Sequence, residues 1–353
     1  MSDIEELKSR INELENENAE LRKWQGSINR LMQQMLDMLT QQSDAQRDMR
    51  ADHESLKQYA SINRYRINSL PYELQDPDYK SFFFKPKILS KEETIDKIIK
   101  EHRSIARFGD GEFAAIVKQK RWNFQGVSEV LANKLKDILT SPGNDILIGL
   151  HPTFYMNLFD LPDEDADGVR AYMHPMVRRL HAELLDPDRQ YANALFHNIY
   201  SVEDVTRLKQ IWNKRECVFI EGIHTGMGVG NDLFDNAGSI ERILGPAENA
   251  VDRYEDIMKE ALKQSKDKLI LLALGPTATA LSYDLHKEGY QAVDIGHIDL
   301  IYESFIRKTP NLNSVSIPYK YCRVDECVSG RAIESIEDKE YKKQIIAVIY
   351  GRS

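Results

Sequence analysis

The stretch KLILLALGPTATALSYDLHKEGYQAVDIG, residues 268–296, decides the fold class. It begins with an apolar run, turns at Gly275 and Pro276, continues with a helical pattern, and stops at Gly289 before a second apolar run. Proline suits the first helical position, where its missing N–H costs nothing, and glycine suits the position just after a helix. The stretch therefore predicts a β-strand, a tight turn, an α-helix and a second strand parallel to the first.

Further apolar runs alternate with helical patterns along the chain. A capping box, Ser90 with Glu93 three residues later, begins the first of these helices. Continuous apolar runs between helices indicate a mainly parallel sheet that is buried on both faces. We therefore expect an α/β, Rossmann-like domain over residues 86–353. Besides the two strands above, its predicted strands are SIARF (104–108), DILIGL (145–150), NALFH (193–197) and CVFIEG (217–222).

Four loops follow predicted strands and carry the candidate functional residues. In open parallel sheets, ligands bind at the carboxyl ends of the strands. Each of the four loops begins with glycine and carries polar groups where an apolar run ends. They are GDGE (109–112), GIHTGMGVGNDLF (222–234), GPTAT (275–279) and GHIDLIYE (296–303).

The GDGE loop puts Asp110 and Glu112 at the mouth of a strand, with Arg107 just before them. Carboxylates cost desolvation there unless a cation, a basic side chain or a helix N-terminus compensates them. Mg²⁺ and Mn²⁺ prefer carboxylate oxygens, and Mg²⁺ commonly combines one or two of them with substrate phosphates. The alternative is an Asp-Gly turn followed by a glutamate that the helix dipole stabilises. The spacing alone leaves both interpretations open.

The other three loops each allow a binding and a structural interpretation. The GPTAT turn (275–279) begins a helix whose free N–H groups bind phosphate well, or it is an ordinary capped turn. The glycine-rich loop lacks the G-x-G-x-x-G order of dinucleotide-binding proteins, and it ends in Asn231 and Asp232, which favours a ligand-shaped wall over a linker. In the last loop, Asp299 could act as a general base, or the acids could belong to an ordinary helix cap.

Residues 1–45 follow a different pattern, the heptad repeat of a coiled coil. Apolar residues recur in alternating steps of three and four at Ile4, Leu7, Ile11, Leu14, Leu21, Ile28, Met32, Met35 and Leu39. Isoleucine at the a positions with leucine at the d positions favours a parallel dimer, and Asn18 at another a position would fix its register. We therefore expect an N-terminal α-helical coiled coil that forms a parallel homodimer, followed by a linker or arm over residues 46–85.

Composition limits the partners and the location. The chain has 353 residues and a formal net charge of -9 at pH 7, which argues against a nucleic-acid partner because such binding depends on basic side chains. No apolar run is long enough to cross a bilayer, so we expect no transmembrane segment. The charged start MSDIEELKSR has no signal-peptide core, and Cys217, Cys322 and Cys327 match no metal or redox spacing. We therefore expect a cytoplasmic protein in which Cys217 is a buried thiol.

Four motifs together resemble the GT-D glycosyltransferases, a family first catalogued as a domain of unknown function. The likeness runs from Ile105 to Phe305, with the motifs in the expected order, and leaves out the coiled coil. The resemblance implies a single Rossmann-like domain that uses a nucleotide-diphosphate sugar. The motifs are RFGDGE, GVGNDLF followed by SIERILGPAENA, LGPTATALSYDL, and DIGHIDLIYE.

The resemblance also implies roles for individual residues. The family's D-x-E motif falls on Asp110 and Glu112, which would hold Mn²⁺ or Mg²⁺ at the donor diphosphate. An ion there neutralises the charge that develops on the nucleoside-diphosphate leaving group. The residues implied for binding the nucleotide sugar are Arg107, Gly109, Gly228, Asn231, Asp232, Gly275, Pro276 and Thr277.

The implied reaction transfers a sugar, with glucose favoured, from a UDP-sugar to an acceptor hydroxyl on a glycan or glycoprotein. Asp299 first, Glu303 second, and His297 are the candidates for activating that hydroxyl. The alternatives are a non-catalytic coiled-coil scaffold that binds a nucleotide sugar, and another nucleotide-using Rossmann enzyme such as a methyltransferase or dehydrogenase.

Two segments depart from the family pattern. The segment HTGMG (224–228) has Gly226 near the place where an arginine often stands, and HNIYS (197–201), around Asn198, lacks an expected basic residue. His197 and His224 are the side chains that would substitute for these cations. The departures concern the phosphate contacts and the choice of sugar.

Overall fold

The chain divides into two compact units, Met1–Asn68 and Ser69–Ser353. The structure is a computed structural model. It describes residues 85–118, 125–143, 145–156, 158–172, 183–308 and 336–351, with helical residues at 22–26, 29, 32–33, 35–40, 49, 52–53, 56–57, 59–60 and 62–70.

The described residues of the first unit are helical. Three of the predicted seam residues, Met32, Met35 and Leu39, belong to this part, and their side chains are exposed in the single chain. The seam residues within 4–21 and Ile28 lie outside the described residues. The coiled coil and its parallel dimer therefore stay a prediction.

The second unit contains one parallel sheet. Nine strands of the described residues form it in the order β1-β4-β3-β2-β8-β7-β5-β6-β9, and every neighbouring pair is parallel. The strands are β1 (Lys87–Ile88), β2 (Ile105–Phe108), β3 (Leu147–Leu150), β4 (Gln190–Asn193), β5 (Glu216–Gly222), β6 (Ser239–Gly245), β7 (Leu269–Ala273), β8 (Gln291–Asp294) and β9 (Ile345–Val348).

Helices cover both faces of the sheet. One hydrophobic cluster joins one face to α2, α3, α4, α6 and α7, and a second cluster joins the other face to α1, α5 and α8. Strand residues alternate between the clusters, which explains why the strands are continuously apolar. The helices are α1 (Lys91–Lys100), α2 (Asp110–Ile116), α3 (Glu129–Leu139), α4 (Asp163–Tyr172), α5 (Val202–Lys209), α6 (Tyr254–Ala261), α7 (Pro276–Lys287), α8 (Ile298–Ile306) and α9 (Lys339–Gln344).

Local sequence signals mark the predicted elements well. The stretch 268–296 forms β7, α7 and β8, with Pro276 at the first helical position and Gly289 at φ 86° just after the helix. The capping box is confirmed, because the Glu93 N–H donates to Ser90 Oγ and the Ser90 N–H donates to Glu93 Oε2. The expectation of a mainly parallel α/β fold is therefore confirmed, and Cys217 is buried as a free thiol.

One predicted strand, NALFH at 193–197, lies in the wrong place. The strand β4 covers Gln190–Asn193 and ends where the Asn193 side chain accepts a hydrogen bond from the Leu195 N–H at 2.8 Å. Asparagine favours such local turns over continued strand, and residues 194–197 form turns after it.

The sequence analysis did not predict three of the strands, for different reasons. The strand β1 is short, and β9 is an edge strand whose Ile346 and Val348 side chains are exposed. The strand β6 carries Glu241 and Arg242 in its middle, which hides its apolar character in the sequence. Within the described part of the chain, no helix is long and apolar enough to span a bilayer.

Candidate active site

Two clefts open at the carboxyl ends of the strands. The chain passes from β2 to β3 on one side of the sheet and from β8 to β9 at the opposite edge, so the adjacent strands β2 and β8 form a topological switch point, where ligands bind in such sheets. The first cleft is formed by the loops after β2, β5, β6, β7 and β8. The second is formed by the loops after β2, β3 and β4 and by α4 and α8. Both are bordered by Arg107, Gly109, Asp110 and His297.

Arg107 lies between the two clefts, and Gly296 makes room for it. Gly296 has φ 52°, and a Cβ atom there would lie 2.8 Å from Nη2 of Arg107, so a side chain at this position would collide with the guanidinium. The Nε atom lies 3.7 Å from Oδ1 of Asp294, and it is buried without a hydrogen-bond partner among the described residues. A cation held in this way suits an anionic ligand.

His197 packs directly against Arg107. Nη1 of Arg107 lies 2.6 Å from Nδ1 and 2.7 Å from Nε2 of the ring, and Nδ1 also lies 3.1 Å from the carbonyl oxygen of Ala194. Burial, together with the positive charge of Arg107, holds the pKa of His197 well below its ordinary value. His197 is therefore neutral near pH 7 and positions the arginine.

Asp110 and Glu112 both occupy the first turn of α2, where Glu112 also caps the helix. Oε2 of Glu112 accepts a hydrogen bond from the Gly109 N–H at 2.7 Å. Burial, and then the negative charges of Asp294 and Asp110, raise the pKa of Glu112 to about 7. Burial also raises the pKa of Asp294. Among the described residues, no group of three or more His, Cys, Asp or Glu side chains is arranged to hold a metal ion.

The glycine-rich loop after β5 is tied to α8 by Asn231. Its Nδ2 atom lies 2.7 Å from both Oδ1 of Asp299 and Oε1 of Glu303, and the Gly228 N–H donates to the same Asp299 oxygen at 3.1 Å. Arg307 completes the cluster, because its Nε donates to Oε2 of Glu303 at 2.9 Å. The carboxylates of Asp299 and Glu303 are both buried, and through these hydrogen bonds they hold the loop against α8.

A buried ion pair between β5 and β6 also holds the glycine-rich loop. Arg242 in β6 pairs with Glu221 in β5, and the two hold Met227 by both of its backbone groups. The Met227 N–H donates to Oε2 of Glu221 at 2.8 Å, and Nη2 of Arg242 donates to the Met227 carbonyl at 2.9 Å. The arginine lies between the rings of Phe219 and Tyr341, at 4.9 and 4.6 Å from their centroids.

Histidine and aromatic side chains line the second cleft. The ring of His151, just after β3, stacks on Phe154 with centroids 4.1 Å apart and an interplanar angle of 10°. Its Nδ1 lies 2.8 Å from Oγ1 of Thr153, and burial lowers the pKa of His151 to about 4. The histidine is therefore neutral near pH 7.

Comparison with known proteins identifies the family. The family profile described as "Glycosyltransferase GT-D fold" matches residues 105–323, which is more than half of the chain. The chain belongs to the GT-D glycosyltransferase family. The match includes both clefts' shared border and leaves out residues 1–45.

Two curated relatives are streptococcal proteins named as glycosyltransferases. The glycosyltransferase GlyD of Streptococcus pneumoniae serotype 4 is 33% identical over 275 residues, covering 73% of this chain and 32% of that protein. The probable glycosyl transferase Gly of Streptococcus gordonii is 31% identical over 270 residues, covering 74% of this chain and 38% of that protein. The chain thus spans about a third of the length of these relatives.

Solved structures of GT-D proteins share the fold. One, described as the domain of unknown function 1792 with a distinct glycosyltransferase fold, has a TM-score of 0.67 at 28% identity and covers 82% of this chain and 99% of that chain. Another, described as a new glycosyltransferase from Streptococcus sanguinis, has a TM-score of 0.68 at 29% identity and covers 75% and 99%.

The GT-D domain brings most of the predicted site residues into one cleft and leaves five outside it. Those in the lining of the first cleft are Arg107, Gly109, Asp110, Glu112, Gly275, Pro276, His297 and Asp299. Those in the lining of neither cleft are Gly228, Asn231, Asp232, Thr277 and Glu303. The Asp232 carboxylate is 2.8 Å from Nζ of Lys209, and buried Thr277 lies against Gln125.

The sequence analysis missed several residues that shape the GT-D site. His151 could have been found, because it directly follows a predicted strand and the carboxyl-end rule applies to every parallel strand. His197 and His224 were considered only as substitutes for missing cations; His224 lines the first cleft and His197 the second. Glu221 and Arg242 had no local signal, because their role depends on pairing between neighbouring strands.

Proposed function

We propose that this protein is a metal-dependent glycosyltransferase that transfers a sugar, with glucose favoured, from a UDP-sugar to a hydroxyl on a glycan or glycoprotein. Membership of the GT-D family supports the transfer of a sugar. The observation that carries the proposal is the acidic pair Asp110 and Glu112 beside the half-buried Arg107 in the first cleft.

The acidic pair suits a divalent cation. Asp110, Glu112 and Asp294 bring three carboxylates together beside Arg107, and burial with the charges of Asp294 and Asp110 raises the pKa of Glu112. We therefore propose that Asp110 and Glu112 hold Mn²⁺ or Mg²⁺. When bound, the ion would neutralise charge on the diphosphate leaving group.

The rest of the first cleft suits the donor diphosphate. Gly275 and Pro276 line it at the start of α7, where the helix dipole favours an anion. Arg107 adds a guanidinium whose Nε has no partner among the described residues. The Gly228 and Asn231 contacts to α8 hold the glycine-rich loop that closes the other wall.

The shared border of the clefts is where transfer would occur. The acceptor oxygen bonds to the anomeric carbon while the bond from that carbon to the diphosphate breaks, and its electron pair leaves with UDP. The hydroxyl proton would pass to His297, which is exposed and borders both clefts. Asp299 borders the first cleft but accepts bonds from the loop, and Glu303 lines neither, so we assign both to positioning.

The full chain with UDP-glucose and Mn²⁺ or Mg²⁺ tests the proposal. Wild type should hydrolyse the donor slowly or transfer its sugar, and EDTA should abolish this. The double variant Asp110→Asn with Glu112→Gln should lose about 100-fold or more, because metal stabilisation of the leaving group contributes several kcal/mol.

The matched control is Asp267→Asn with Glu288→Gln. These two exposed acids precede β7 and β8, so they lie at the amino ends of the strands, whereas the clefts lie at the carboxyl ends. Their replacement should leave activity unchanged. Full activity in the Asp110 and Glu112 variant would refute the metal site. Stabilisation by S-adenosylmethionine or NAD, with none by UDP and Mn²⁺, would favour another Rossmann enzyme. UDP binding with no turnover would favour a scaffold.

We also propose that residues 1–45 join two chains as a parallel coiled coil. Opposite charges at the predicted facing positions support this pairing, at Asp3 with Lys8, Arg10 with Glu15, and Glu17 with Arg22. The cytoplasmic location stays a prediction.

A further inference from the structure

The α9–β9 segment, residues 336–351, lies outside the family match, which ends at residue 323. It consists of a short helix and the edge strand β9, which pairs with β6. None of its described residues lines either cleft. Any influence of this segment on the first cleft must therefore pass through another residue.

Arg242 in β6 joins the α9–β9 segment to the glycine-rich loop. Its three guanidinium nitrogens reach three different elements. Nη1 pairs with Glu221 in β5, and Nη2 donates to the carbonyl oxygen of Met227, which lines the first cleft, at 2.9 Å. Nε donates to Oε1 of Gln344, at the end of α9, at 2.7 Å. Gln344 lies there because the next residue, Ile345, is the β9 partner of Arg242.

Tyr341 in α9 holds the same guanidinium through its ring. The ring centroid lies 4.6 Å from the guanidinium carbon of Arg242, and the residue is 4% exposed, so the contact is desolvated and correspondingly strong. Its hydroxyl is buried and has no hydrogen-bond partner among the described residues, so the ring makes the contribution. The ring also belongs to an apolar cluster against which Ile223 and Val229 of the glycine-rich loop pack.

The α9–β9 segment is itself attached by few buried side chains. Of its described side chains, Ile336, Tyr341 and Ile349 are buried, whereas Ile346 and Val348 are exposed. Segments with few buried apolar contacts open at a lower free energy than the core of the same protein. A ligand that binds the glycine-rich loop can therefore shift this opening, and by linkage the attachment of the segment must affect the ligand equally.

We propose that Tyr341 and Gln344 are positioning residues for the donor, because through Arg242 they fix Met227 and with it the loop wall of the first cleft. The inference rests on the proposed function and adds control of donor binding by residues that lie outside both clefts. Neither side chain touches the substrate. Without the Gln344 oxygen and the Tyr341 ring, the guanidinium can turn toward Glu221 and away from the Met227 carbonyl.

The test measures donor hydrolysis by the full chain with UDP-glucose and Mn²⁺, and the affinity for UDP with Mn²⁺. Gln344→Met keeps the length and helix propensity of the side chain but removes the acceptor. The KM for UDP-glucose and the Kd of UDP should rise about three- to tenfold, because a hydrogen bond to a charged group is lost. The value of kcat should stay unchanged, because the loop wall binds the donor equally before and during the reaction.

Conservative variants separate positioning from folding. Gln344→Glu keeps an oxygen for Nε of Arg242, so its KM should stay within about twofold of the wild-type value. Tyr341→Leu, which removes the ring, should raise the KM, whereas Tyr341→Phe should not, because the ring remains. The matched control is Lys343→Ala in the same helix, which removes only an exposed ion pair with Glu340 and should change nothing.

Hydrogen exchange followed by mass spectrometry gives a readout that does not depend on turnover. Saturating UDP with Mn²⁺ should slow the exchange of the α9 amides in wild type about threefold or more, and less in Gln344→Met. The control is α1, which contributes no residue to the lining of either cleft and should exchange at the same rate with and without UDP.

The outcomes that overturn the inference differ from the one that overturns the proposed function. With an active wild type, unchanged KM and UDP affinity in Gln344→Met and Tyr341→Leu overturn the inference alone. A lower kcat at unchanged KM does the same, because it reports a smaller folded fraction. An equal rise of KM in Gln344→Glu overturns the role of the acceptor, and α9 exchange that ignores UDP overturns the coupling. A wild type that neither hydrolyses UDP-glucose nor binds UDP overturns the proposed function, and the inference with it.

Discussion

Glu112 should make the stability of the metal-free protein fall as the pH rises. Burial and the charges of Asp294 and Asp110 raise its pKa from 4.5 to about 7. The folded state therefore holds this proton more tightly than the unfolded chain, so the stabilisation is complete below pH 4.5 and is lost between pH 4.5 and 7. At about 1.36 kcal/mol per pH unit, the loss amounts to about 3 kcal/mol.

The variant Glu112→Gln isolates this effect. Glutamine keeps the shape and an oxygen that can accept from the Gly109 N–H, but it does not titrate. Urea unfolding in EDTA, followed by circular dichroism between about pH 5 and pH 8, should show the variant gaining about 3 kcal/mol relative to wild type as the pH rises. The matched control is Glu288→Gln, which makes the same substitution at an exposed position outside the lining of both clefts.

A difference between Glu112→Gln and wild type that stays constant with pH would refute this reasoning. It would mean that the Glu112 carboxylate is solvated well enough to ionise normally. Saturating Mn²⁺ provides an additional check, because a bound cation keeps the carboxylate ionised and should stabilise wild type more at pH 8 than at pH 6.

Three further predictions concern the loop, the arginine pocket and the N-terminus. Arg242→Ala should lower the unfolding free energy by about 3–5 kcal/mol in urea, because it leaves the buried Glu221 carboxylate unpaired; a loss below about 1 kcal/mol would contradict this. Gly296→Ala should weaken UDP binding in a thermal-shift assay by displacing the guanidinium, whereas Gly289→Ala, with the same left-handed backbone, should not; equal effects would indicate backbone strain alone. Deleting residues 1–45 should reduce the mass measured by light scattering from that of a dimer to that of the shortened monomer, and a dimer that survives would reveal an interface elsewhere.

Elements that depend on neighbouring residues could be predicted from the sequence. The βαβ unit at 268–296 follows from apolar runs, a proline and a glycine that act within a few residues of each other. The position of the first cleft could also be predicted, because the carboxyl ends of parallel strands lie together and the loops that follow them must meet there. Asp110 and Gly275 are far apart in the chain but border one cleft for this reason.

Elements that depend on residues far away in the chain could not be predicted from the sequence. Arg242 reads as a surface residue in the sequence, yet it is 3% exposed because Glu221 on the adjacent strand neutralises it. Pairing across the sheet decides its burial, and a single sequence does not contain that pairing. The end of β4 is a different case, because the Asn193 side chain accepts a hydrogen bond from the Leu195 N–H only two residues away. The apolar residues after Asn193 predicted a strand over 193–197 and outweighed this local turn signal.

The carboxylates after β2 and β8 show how one sequence signal divides into two physical roles. Asp110 and Asp299 both follow a strand and both border the first cleft. Asp299, however, accepts hydrogen bonds from Gly228 and Asn231, so its carboxylate holds the glycine-rich loop. The turn that follows β2 instead brings Asp110 and Glu112 near Asp294, and burial together with the charges of Asp294 and Asp110 raises the pKa of Glu112 to about 7. A site for a cation is therefore expected at Asp110 and Glu112 rather than at α8, because binding there relieves repulsion, whereas binding at Asp299 would have to break the attachment of the loop.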